Sequence, residues 1–204
     1  MRRSLSPVSG LLLLVLVSAG RFVADATPLS ADMIVSVSDQ ELALVDRGKL
    51  IARYSISTSK FGTGDSAASF RTPLGTLFVS AKIGDRLPPG AVIKSRIPTG
   101  EVVGVDAPGR DAIVARVIWL RGMEAQNQKA RDRCIYIHGT PEERRIGKPA
   151  SFGCIRMRSR DVIQLYDIVG PQARVTILNE PLEAMVPALA PAAGPGATTA
   201  VSSQ

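Results

Sequence analysis

Cys134-Ile135-Tyr136-Ile137-His138-Gly139-Thr140 is a run of β-formers that ends on the only histidine in the chain. Downstream, Ser151-Phe152-Gly153-Cys154-Ile155-Arg156-Met157 carries a glycine-flanked cysteine sixteen residues after that histidine. A free thiol titrates near about 8.5, so it needs a neighbouring base to act as a strong nucleophile near neutral pH. A histidine at the end of a strand and a cysteine one loop away supply that pair without a metal or cofactor. Zinc needs three or four protein ligands, and Cys134, His138 and Cys154 are the only obvious candidates. The expectation is therefore a metal-free, cofactor-free cysteine site.

Outward from these stretches, 204 residues leave room for one ordinary domain with tails, and 45% hydrophobic residues are ample for its core. Aromatic residues make up 4%, too few for the stacking platforms of single-strand nucleic-acid binders. The net charge of +7 suits anionic partners such as wall polymers or substrate carboxylates. The basic residues are dispersed, and in Glu142-Glu143-Arg144-Arg145 acids interleave with them, so no nucleic-acid partner is expected.

Residues 1–26 read as a signal peptide. Arg2 and Arg3 precede the apolar stretch Leu11 to Val17, and cleavage fits after Ala19 or after Ala26. The stretch falls short of the ~20 apolar residues of a membrane span, so membrane contact is expected only if this segment stays uncleaved. Export places the protein in the periplasm or cell envelope, where a disulfide between Cys134 and Cys154 has to be weighed. If Cys134 shares a straight strand with His138, the two lie roughly 13 Å apart. A Cys154 beside His138 is then beyond the ~7 Å Cα separation a bridge allows, and a free thiol is expected.

The pattern along the chain is mainly β. Met33–Val37 and Leu42–Val45 form a hairpin around Ser38-Asp39-Gln40, and Leu50–Thr58 follows the turn Asp46-Arg47-Gly48. Lys60–Phe70 reads as an exposed loop, Thr76–Ala81 and Ala112–Leu120 as strands, and Ala91–Ile93 and Glu101–Val105 as short β pieces. Arg121–Arg133 reads as a loop, placed to act as a flap before Cys134. Ser159 is positioned to cap a helix from Arg160 to Val169 with Asp161 in its first turn. A strand at Ala173–Leu178 closes the domain, and residues 181–204 read as an Ala/Pro-rich disordered tail.

His138-Gly139-Thr140 together with Ser151-x-Gly153-Cys154-Ile155-Arg156-Met157 resembles the L,D-transpeptidase catalytic domain, a family of cysteine enzymes that remodel bacterial peptidoglycan. Ile34 to Leu42 is similar to the family's opening hairpin, Thr72-Pro73-Leu74-Gly75-Thr76 to its proline-glycine turn, and Ile146 to Ser151 to the approach to its nucleophile. The likeness covers residues 31–180 and is weak across 83–131. Phe152 departs from the family, which commonly has a second histidine there.

The resemblance implies a mainly β, sandwich-like L,D-transpeptidase fold with a short helix after the cysteine loop. It implies Cys154 as nucleophile and His138 as general base and acid, with a backbone carbonyl, that of Gly139, orienting the imidazole. Backbone N–H groups around Gly153 and Cys154 would hold the oxyanion. The partners implied are peptidoglycan tetrapeptide stems, which lose D-alanine, and an amine acceptor; with water as acceptor the same site is a carboxypeptidase. A catalytically idle wall-binding module is the reading from another class. Ser151 either hydrogen-bonds its own loop or lines the site. Arg156 either grips a substrate carboxylate or pairs with an Asp or Glu of the chain. Tyr136 is core, cleft wall or substrate contact, and Phe152 a substrate-side replacement for the usual histidine.

Overall fold

A computed structural model describes residues 31–186. Ten strands, β1 Asp32–Ser36, β2 Glu41–Asp46, β3 Lys49–Ser55, β4 Gly75–Ile83, β5 Ala91–Lys94, β6 Ile97–Val102, β7 Val114–Gly122, β8 Tyr136–Gly139, β9 Ile155–Met157 and β10 Arg174–Leu178, surround one helix of any length, α1 Ser159–Ile168. The hydrogen-bonded order is β3-β2-β1-β10-β4-β7-β5-β6, and β8 branches from β7 to carry β9. β1 with β10 and β8 with β9 are parallel pairs; the remaining pairings are antiparallel.

Sequence alternation sets which face each strand buries. Met33 and Val35 of β1 enter the main core beside Leu42 and Leu44 of β2, Leu77 and Val79 of β4, and Ile118 and Leu120 of β7. Ile137 of β8, Ile155 and Met157 of β9, and Val162, Leu165 and Tyr166 of α1 join the same cluster. Strands from both halves of the sheet thus share one core with the helix, which is why the mainly β reading with a short helix holds.

Two expectations need correction. The helix starts one residue early, and Ser159 does not cap it through its hydroxyl: Arg158 is the N-cap, and the Ser159 N–H donates to Glu143 Oε1 at 2.9 Å. A carboxylate from another segment answers the helix dipole where a local hydroxyl was expected. The expected disordered tail also does not start at residue 181. Leu182–Met185 form a short helix, α2, whose Leu182 and the following Val186 are buried against Ala43 and Val45 of β2. Leu182 N–H is held by Asp39 Oδ2 at 2.6 Å. Residues 1–30 and 187–204, including the expected signal segment and most of the expected tail, lie outside the described residues.

The loop expected over Arg121–Arg133 starts later, because β7 runs through Gly122; residues 125–134 are turns, but they are tied down. Asn127 is fully buried, and its amide donates to Leu74 O and Thr76 O, each at 3.0 Å. Arg133 donates to the carbonyls of Gly64, Ser69 and Arg71 and to Asp65 Oδ1 at 2.5 Å. Both members of that ion pair are buried, so losing either would strand the other, a cost of about 3–5 kcal/mol. Nothing in these contacts resembles a free flap.

Candidate active site

The parallel β8–β9 pair builds the site. Its register sets Ile137 beside Ile155 and His138 beside Arg156. One step back, the same register sets Cys154 beside Tyr136. The isoleucines face the main core, so His138, Arg156, Tyr136 and Cys154 occupy the opposite face. Two residues out of step on neighbouring strands, His138 and Cys154 have Cα atoms about 8 Å apart by strand geometry, a gap an imidazole and a thiol can close. Opposite them β7 shifts register between Val114 and Val117, against Gly139 and His138 respectively. A bulge at that point bends the sheet beneath the histidine.

Gly139 is there because β7 comes so close: a methyl group on it would sit 2.5 Å from Val114 O. Its own carbonyl lies 2.9 Å from His138 Nδ1. That carbonyl can only accept, so the proton sits on Nδ1 and leaves Nε2 with a free lone pair. Burial pushes the imidazole down to about 4; the Gly139 contact opposes this, and the Arg156 charge adds to it. Burial likewise pushes the Cys154 thiol up to about 11, against the pull of the Tyr136 N–H and of Arg156. Burial thus favours the neutral forms of both groups over an imidazolium–thiolate pair.

The loop before the cysteine is a closed turn. Ser151 Oγ donates to Cys154 O at 2.6 Å and accepts from the Gly153 N–H at 3.2 Å. Gly153 has φ +118, open to glycine and strained for any other residue, and its carbonyl accepts from Thr72 Oγ1 at 3.0 Å. Ser151 is thus a loop clamp, fully buried, and does not line the site. The Gly153 N–H is already engaged, which removes it from the expected oxyanion donors.

Arg156 also departs from its substrate-binding reading. Its guanidinium is 6% exposed and bonds Asp111 Oδ2 at 2.7 Å and Glu142 Oε2 at 3.2 Å. The chain itself supplies the carboxylates. Tyr136 is buried cleft wall, meeting Trp119 edge-on at 5.7 Å between ring centroids. Phe152 is half exposed and joins Phe61 and Phe70 in a mutual cluster, with Lys60 Nζ 4.3 Å above its ring.

Cys134 is not on the strand with His138. It lies in the preceding turn with φ +56, and its carbonyl accepts from Cys154 Sγ at 3.3 Å. The straight-strand distance therefore misplaced it, although both thiols are free. Sequence reading also passed over Thr72, Asp111, Glu142 and the Arg133–Asp65 pair. Thr72 alone had a local signal, the Thr72-Pro73-Leu74-Gly75 turn; the others find their partners 14 to 68 residues away. A cavity of about 450 Å³ opens between the β5–β6 hairpin and the start of β7, walled by Ile93, Lys94, Thr99, Glu101, Arg110 and Ile113; neither His138 nor Cys154 lines it.

The family model of the L,D-transpeptidase catalytic domain matches residues 30–177, and the chain belongs to that family. YqjB of Bacillus subtilis (strain 168), named as a candidate L,D-transpeptidase, is 29% identical over 159 residues, 75% of each chain. YkuD of the same organism, similarly named, is 56% identical over 41 residues, 20% of this chain and 25% of its own length. Among solved structures, an L,D-transpeptidase from Mycobacterium smegmatis superposes with a TM-score of 0.46 at 19% identity, covering 73% of this chain and 58% of that one. L,D-transpeptidase 3 from Mycobacterium tuberculosis, solved with a faropenem-derived adduct, gives 0.48 at 16% identity, covering 72% and 60%. This chain spans less than two thirds of the length of either solved chain.

Proposed function

We propose that the chain is an exported L,D-transpeptidase acting on peptidoglycan stem peptides, with Cys154 as nucleophile and His138 as general base and acid. What supports it most is the shared face of β8 and β9, with Nδ1 of His138 occupied by Gly139 O and Nε2 left to work on the sulfur.

Because burial favours both neutral forms, attack and proton transfer go together. Cys154 Sγ bonds to the peptide carbonyl carbon preceding the terminal D-alanine of a tetrapeptide stem as its proton passes to Nε2. The carbonyl oxygen becomes an oxyanion, to which the Cys154 N–H is assigned; one such donor is worth about 3–4 kcal/mol. The carbon–nitrogen bond breaks and the D-alanine amine leaves with the proton from Nε2. An acceptor amine then adds to the thioester, giving a proton to Nε2, and the carbon–sulfur bond breaks as the thiol recovers it. Arg156, locked between Asp111 and Glu142, adds a fixed positive charge that favours the thiolate as it forms.

Incubating the full chain with a carbapenem, an acylating mimic of the donor, tests the nucleophile: intact mass should show an adduct that Cys154→Ala abolishes. Tetrapeptide muropeptides test the reaction. Cross-linked dimers support transfer, tripeptide alone makes the protein a carboxypeptidase, and neither product nor adduct from folded, reduced protein leaves a wall-binding module.

A further inference from the structure

Of the arginines bordering the site, two differ from the rest. Arg133 and Arg156 are buried and paired with carboxylates of the chain. Arg96 and Arg131 are exposed, and among the described residues neither makes an ion pair. Both nevertheless have a fixed place. Their guanidinium carbons lie 5.0 and 4.5 Å from the centre of the Trp119 ring, and Trp119 Nε1 donates to Arg131 O at 3.2 Å. Stacking on an indole orients a guanidinium, and the Arg96 N–H donors not turned to the Cys134 sulfur and the Tyr136 side chain remain for a planar anion.

Their position ties them to the reaction. Arg96 occupies the two-residue turn between β5 and β6, where Ser95 and Arg96 both have left-handed φ, +50 and +69. From there Arg96 Nη1 comes within 3.8 Å of Cys134 Sγ, and the Cys134 carbonyl touches the Cys154 thiol. Trp119 meets Tyr136 edge-on, and Tyr136 stands beside Cys154 in the β8–β9 register. Arg96 thus stands one residue from the sulfur, through Cys134, and the Arg131 guanidinium two, through Trp119 and Tyr136.

We propose that Arg96 and Arg131, stacked on Trp119, form a subsite for a free carboxylate of the acyl donor, within about one residue of the scissile carbonyl. The assignment rests on the L,D-transpeptidase reading for the identity of the donor. It makes the aromatic–arginine wall a specificity element, selecting peptides that carry negative charge beside the bond to be cut. The carboxylate can belong to the terminal D-alanine or to the residue before it; the chemistry recognised is the same.

The test is equilibrium binding, which does not need turnover. In the Cys154→Ala background, calorimetry would compare a synthetic stem tetrapeptide ending in D-alanine with its C-terminal carboxamide and with a form amidated only at its internal carboxylates. Charge-assisted hydrogen bonds at an exposed site predict about tenfold weaker binding for whichever amidated form loses the recognised group. Arg96→Gln, and more strongly Arg96→Gln with Arg131→Gln, should erase that preference, and Arg96→Lys should keep part of it. Equal loss of affinity for all three peptides on Arg96→Gln, or no preference in the parent protein, overturns the subsite. A preference that persists where no carbapenem adduct forms would sink the transpeptidase reading and leave the subsite standing.

Discussion

The parallel β8–β9 pair and the β5–β6 hairpin both border the site and are made in opposite ways. Every residue of β8 and β9 is buried, and every residue of β6 is exposed. The first pair is clamped by the main core below it, by the Ser151 turn before it and by the Arg156 carboxylate pairs above it. Among the described residues β6 pairs with β5 alone, and β5 carries the hairpin's attachment: one register point on β7, Val92 beside Val114, and the buried side chains of Val92 and Ile93. A nucleophile and its base need sub-ångström placement, whereas a wall that sorts substrates gains from a light attachment. The difference in burial separates the two duties.

The comparison is easiest to break on the rigid side. Cys154→Ala should remove acylation completely, read as loss of the carbapenem adduct, with far-ultraviolet circular dichroism unchanged. His138→Gln should lower the acylation rate by about 10²–10⁴, the usual worth of a positioned general base, in stopped-flow traces; near-normal rates would reassign the base.

The resting protonation state gives a pH signature. With Cys154 held up to about 11, its thiolate fraction in the folded protein grows about tenfold per pH unit between pH 7 and 10. Iodoacetamide labelling followed by peptide mapping should show that rise at Cys154. A plateau already reached near pH 7 would mean a preformed ion pair with His138.

On stability, Ile155→Ala should cost about 2–5 kcal/mol in denaturant unfolding, because it opens a cavity in the main core. Ile97→Thr on the hairpin should stay within about 0.5 kcal/mol. Equal costs would erase the contrast between the two regions. Smallest of all, Phe152→His should change stability little, since that ring is half exposed, and should leave acylation equal or faster. A large loss of stability would make the Phe61–Phe70–Phe152 cluster a packing unit.

Much of this was legible in the sequence because it is local. The Ser38-Asp39-Gln40 turn, the β-branched run of β7 and the helical stripe of α1 each fall within a residue or two of their expected places. The family resemblance also implied the Gly139 carbonyl that meets Nδ1. Illegible were the contacts made across the chain. Arg156 meets Asp111 45 residues away, and the start of α1 is answered by Glu143 from the preceding loop. Periodicity carries no record of such partners. Cys134 was misplaced for another reason: a strand was extended through a residue whose left-handed backbone turns the chain.

That turn has a further effect. By aiming the Cys134 carbonyl at the Cys154 sulfur, it gives the resting hydrogen a harbour away from the imidazole. A thiol makes only a weak hydrogen bond, so leaving costs little. The sulfur is moored when the groove is empty, and an arriving peptide has only a slack line to cast off before chemistry starts.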